Sequence, residues 1–61
     1  MEYIVYTEIL ENGTVERWYY GTYNRDRANE VALELGGEYP IYHCVCALED
    51  AERMGVQNLP F

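Results

Sequence analysis

His43, Cys44 and Cys46 are the residues in this chain whose types could hold a soft metal or pass electrons. Structural zinc takes four ligands, usually from two close-spaced pairs. Here there is one His and one Cys-x-Cys. Side chains alternate between the two faces of a strand, so His43 points away from both cysteines. A metal site would need a second copy of the chain to complete it. Cys44 and Cys46 share a face two residues apart, a poor geometry for a bond between them. They read as reduced thiols that pack as small apolar groups, which fits a cytoplasmic setting. A metal or redox module on His43, Cys44 and Cys46 is therefore a weak alternative, and no cofactor is expected.

The eleven Asp and Glu residues form no recognisable catalytic pair. Acid–base catalysis needs a convergent pocket that shifts pKa values, and 61 residues leave little room for one. The chain has no serine and no nucleophile motif. Gly36-Gly37 ends a helix instead of opening one, so it is not a phosphate cradle. The sequence reads as that of a non-enzyme.

The net charge is −7, with four Arg and no Lys. Such a chain is repelled by nucleic acid and by anionic membranes. No apolar run approaches the ~20 residues of a membrane span, and no secretory start is visible. If the charge serves binding, the partner is basic. Tyr and Trp dominate the aromatics. They can stack bases, but that mode also needs a cationic groove. They are also common at protein–protein hot spots, and in cores that leave the OH at an edge.

One element organises the rest. Tyr3 to Tyr23 reads as a β-hairpin turned at Asn12-Gly13, since both central residues of a type I′ turn need positive φ. A two-residue loop fixes the register. Glu11 faces Thr14, Leu10 faces Val15, Glu8 faces Arg17, Tyr6 faces Tyr19 and Ile4 faces Gly21. On the other side Ile9 faces Glu16, Thr7 faces Trp18 and Val5 faces Tyr20. Both faces carry large apolar residues, and one helix can cover only one of them.

Asn24 is a good N-cap. Ala28, Val31, Ala32 and Leu35 recur as an amphipathic stripe, and Gly36 is the C-cap, expected in the left-handed helical conformation. Ile41 to Ala47 reads as a third strand. Glu49 to Met54 reads as a short helix capped by Gly55. The expected fold is α+β, a three-stranded antiparallel-rich sheet of order 2-1-3 in a ββαβ arrangement with one packed helix and a short C-terminal helix. It forms a single domain over 1–61, with hairpin 2–21, helix 24–35, strand 40–47, short helix 49–54 and tail 55–61. The crossover should be right-handed, and strands two and three are left as edges open to another chain. Val5, Ile9, Trp18 and Tyr20 are expected to face the helix. Ile4, Tyr6, Leu10, Val15 and Tyr19 are expected on the outer face, as an apolar patch around the Glu8–Arg17 pair. Val56, Leu59 and Phe61 either fold back over the sheet, the favoured reading, or form a docking peptide.

The build and size, with Gly21 to Leu35 following a hairpin, resemble small uncharacterised acidic proteins encoded by bacteriophages and mobile elements. The likeness spans Tyr3 to Leu48 at the level of layout and carries over no functional residue. It implies a non-enzymatic protein that binds and redirects a host protein in the bacterial cytoplasm. Some phage proteins of that sort imitate DNA. The expected function is thus a small acidic protein-binding module, a phage-type modulator or inhibitor, acting through Tyr6, Leu10, Val15 and Tyr19. The alternative is a DNA mimic that occupies the basic site of a nucleic-acid-binding protein through Glu30, Glu34, Glu38, Glu49, Asp50 and Glu52. A structural homodimer is a further alternative.

Overall fold

The structure is a computed structural model, and it describes residues 1–59. Strands β1 (Tyr3–Glu11) and β2 (Thr14–Tyr19) form the hairpin. Helix α1 (Arg25–Leu35), strand β3 (Ile41–Ala47), the single-turn helix α2 (Leu48–Ala51) and strand β4 (Gln57–Asn58) follow. The sheet order is β3-β1-β2-β4. β1 runs antiparallel to both neighbours, and β4 lies parallel to β2. The expected order 2-1-3 is therefore present, extended by a fourth strand.

The hairpin turns as its residues dictate, with φ of 51° at Asn12 and 77° at Gly13. The register pairs Glu8 with Arg17 and Thr7 with Trp18. Beyond Trp18 the expected register fails. Tyr3 pairs with Tyr23, through backbone bonds of 2.9 and 2.8 Å, so the second arm carries one extra residue. The slack is taken up around Gly21, whose φ of 74° suits a bulge. Ile4 thus has no strand partner at Gly21.

Helix α1 begins where its cap predicts. The Asn24 side chain accepts from the Arg27 N–H at 2.8 Å. Asn24→Ala should cost about 1 kcal/mol, read as a lower urea midpoint with an unchanged slope. At the other end Gly36 has φ 70° and ψ −165°, outside the left-handed helical well expected of it but in a region reserved for glycine.

α1 packs mainly on β1 and β3. Ala28 is fully buried in that contact, while Val31 and Ala32 are half-buried. Small residues let the helix sit close to the sheet. The consequence is that Tyr20, expected beneath the helix, is 57% exposed, and Trp18 is only half-buried. Leu35, the last member of the stripe, is 55% exposed because the helix ends as it passes the sheet.

The second face of the sheet is not an outer face. The C-terminal segment from α2 to Leu59 covers it. Ala51 and Val56 pack with Ile4 and Tyr6, and Tyr19, Cys44, Cys46 and Leu48 join the cluster. Ile4 is 0% and Tyr6 8% exposed. Two apolar faces thus get two covers, because a chain this small needs all its apolar area. The short helix is one turn, Leu48–Ala51, not 49–54, and a chain of turns with Gly55 at φ 74° leads to Val56. Val56 folds back as the favoured reading of the tail has it. Pro60 and Phe61 lie outside the described residues.

Neither edge is as open as expected. β4 covers β2 at Trp18 and Tyr19, and the Leu59 N–H donates to the Tyr19 carbonyl at 2.7 Å. At the start of β3, Glu38 and Ile41 exchange backbone bonds of 2.8 and 2.6 Å around a turn with a cis Tyr39–Pro40 peptide. Gly37 lies against the same edge. A Cβ there would stand 3.3 Å from the His43 nitrogen and from the Tyr42 Cα, so only glycine fits without a shift.

Candidate functional site

The sheet face expected to bind a partner carries Tyr6, Leu10, Val15 and Tyr19. The structure divides them. Tyr6 and Tyr19 lie under the C-terminal segment, buried and half-buried. Leu10 is half-buried, and Val15 is 44% exposed at the rim of a hollow that it shares with Gly55, Gln57 and Leu59. Covered residues cannot form a free patch, so this face is core at its centre.

Its polar groups are structural in geometry. The Arg17 Nε donates to Glu8 Oε2 at 2.7 Å, and its Nη1 donates to the Met54 carbonyl at 3.2 Å. Arg17 thereby ties the C-terminal segment to the hairpin. Burial, and after it the adjacent Cys44 thiol, push the Tyr6 phenol from its ordinary 10 up to about 12. Burial and the nearby Asp50 carboxylate likewise push the Cys46 thiol up. Both groups are held in their protonated forms, the opposite of what an activated nucleophile needs.

The Tyr6 shift has a sign that can be checked. The folded state binds the phenolic proton more tightly than the unfolded chain. Its contribution to stability is complete below about pH 10 and is lost as pH rises towards 12. Absorbance at the phenolate band should show one of the seven tyrosines titrating only as the protein unfolds. A Tyr6→Phe variant that keeps a late-titrating tyrosine would reject the assignment.

His43 stands apart from the cysteines, on the α1 face, and its Nδ1–H donates to the Gly36 carbonyl at 2.5 Å. It pins the end of α1 to β3. Among the described residues no three His, Cys, Asp or Glu side chains converge as metal ligands do. Cys44 and Cys46 are unbonded.

The acidic residues do not make one surface either. Glu30 and Glu34 stand on α1, where Arg27 reaches them at 3.0 and 3.4 Å. Glu49, Asp50 and Glu52 lie in and after α2, across the sheet, with Arg53 on Asp50. Glu38 sits at the edge turn.

What the structure does bring together was not anticipated. Leu33 is 82% exposed and Tyr39 71%. With Leu35, Ile41 and Tyr42 they surround two adjoining hollows at the end of α1 and the start of β3. The larger, about 680 Å³, lies between Asn29, Ala32 and Leu33 of the helix and Tyr42 and His43 of the strand. The other, about 480 Å³, lies among Leu35, Tyr39, Pro40 and Ile41. Gly36, Gly37 and His43 line both. The one signal for this end in the sequence is Leu33, an apolar residue off the helical stripe.

Comparison with family models, with curated proteins and with solved structures finds no match. No relative therefore assigns a role to any of these residues. Among the described residues no helix is long and apolar enough to cross a membrane.

Proposed function

We propose that this chain is a small acidic, non-enzymatic protein-binding module, a phage-type modulator of a host protein in the bacterial cytoplasm. It binds through the apolar end formed by Leu33, Leu35, Tyr39, Ile41 and Tyr42. The observation that carries this reading is the gathering of exposed large apolar side chains around two adjoining hollows. A small domain that buries Val56 and Ala51 to cover its sheet leaves these uncovered, and exposed apolar patches mark interaction sites. Tyrosine is also favoured at binding hot spots.

The DNA-mimic reading is less well supported. Its six carboxylates stand on both sides of the sheet, and Arg27 and Arg53 offset part of them. The test is capture from bacterial lysate by tagged protein, beside a Leu33→Ser/Tyr42→Ser variant and a Glu30→Lys/Glu34→Lys variant. A partner lost only with the first supports the apolar end. A partner lost only with the second overturns it in favour of mimicry, and a partner kept by both places the interface elsewhere.

A further inference from the structure

The charges around the apolar end limit what can sit on it. Glu8 lines the larger hollow and Glu38 the other, while Glu30 and Glu34 stand next to Leu33 on α1, where Arg27 pairs with both. The whole chain carries −7. A second copy would bring that same charge, and a two-fold contact would set Glu38 and its neighbours against their own equivalents. At the start of β3 the backbone groups of Ile41 are already bonded to Glu38, so an added strand cannot pair there. The occupant must therefore bind by side chains and carry positive charge.

Resting on the binding reading above, we infer that the apolar end takes a cationic amphipathic segment of another protein, with one apolar anchor in each hollow and Lys or Arg beside the anchors. The anchors displace water from the walls made by Leu33 and Tyr42 and by Leu35, Tyr39 and Ile41. The flanking cations meet Glu30, Glu34 and Glu38. Helix-in-groove recognition has this form, apolar residues of one helix face filling a shaped groove. His43, fixed by Gly36 between the hollows, keeps them apart.

The probe is an amphipathic Leu/Lys peptide titrated into the isotopically labelled full chain and followed by NMR. Controls are a peptide of the same composition with its order shuffled, and a Leu/Glu peptide. Saturable shifts should fall on Leu33, Leu35, Tyr39, Ile41 and Tyr42. The shuffled peptide should bind at least about tenfold more weakly, and the Leu/Glu peptide not at all. Binding should weaken between about 0.1 M and about 1 M salt, as the screening length falls from about 10 to about 3 Å. Leu33→Ser and Tyr42→Ser should each raise Kd by about tenfold or more with unchanged melting.

Equal binding of the shuffled peptide, or shifts scattered over carboxylates on both sides, overturns the inference and leaves simple charge attraction. Broadening of the same residues without peptide, with a doubled mass in solution, overturns it in favour of a second copy. A lysate partner that depends on Leu33 and Tyr42 but binds through a neutral or acidic segment overturns only the charge of the occupant. A lysate partner indifferent to both residues overturns the binding reading itself.

Discussion

Replacing Ile4 by alanine is expected to unfold this protein near room temperature. Among the described residues Ile4 is the one large side chain with no exposure at all, on the central strand, beneath Ala51 and Val56. Truncating a buried isoleucine removes its transfer free energy and leaves a cavity, at a cost of about 2–5 kcal/mol. A single core in so short a chain rarely supplies more than about 3–5 kcal/mol. The two figures meet. Urea denaturation followed by circular dichroism should show a cooperative transition in the parent and little or none in Ile4→Ala. Leu33→Ala is the matched control. It removes a similar side chain from a position 82% exposed and should stay within about 0.5 kcal/mol of the parent. If both variants melt alike, the sheet face under the C-terminal segment is not the core.

Val56→Asp should have the second largest effect, and a different signature. Val56 is 7% exposed against Ile4 and Tyr6. A carboxylate placed there sits among apolar side chains with little water, which costs several kcal/mol. The segment is also tied by the Leu48 N–H bond to the Glu2 carbonyl, the Arg17 bond to the Met54 carbonyl, the two-residue strand β4 and the Leu59 bond to Tyr19. Losing it uncovers Cys44, Cys46 and Tyr6 together. The rate at which a thiol reagent modifies the cysteines should rise by on the order of tenfold or more, and the Tyr6 titration should fall back from about 12 towards 10. Thiols as slow as in the parent would mean that the segment does not seal that face.

Much of the fold was legible because its signals are local. Asn12-Gly13 requires a tight turn, and that turn sets the register as far as Trp18. Asn24 and Gly36 bracket α1 by their own chemistry. The segments that escaped are those decided by long-range packing. Nothing local in Gln57-Asn58 says strand. It becomes one because Val56 must cover Ile4 and Tyr6, and its neighbours then fall beside β2. The two-faced apolar hairpin already posed the need for a second cover, but not which segment would supply it. From sequence, Tyr6 and Tyr19 are expected on an open face for want of the same long-range information. Once the C-terminal segment takes Tyr6 and Tyr19, the exposed apolar surface is what remains elsewhere. Leu33, Leu35, Tyr39, Ile41 and Tyr42 are left out because α1 lies over β1 and β3 on alanines and ends beyond them.

The C-terminal cover also sets an order of events in folding. The hairpin can close early, since its contacts are local. Ile4 and Tyr6 then wait for Ala51 and Val56, which lie far from them along the chain. Bringing such distant segments together carries the loop-closure cost that slows non-local contacts. Until the segment docks, the hairpin shows the tyrosine-rich face that the folded protein hides. Its acidic residues are the charge that keeps the half-folded chain from associating in that interval.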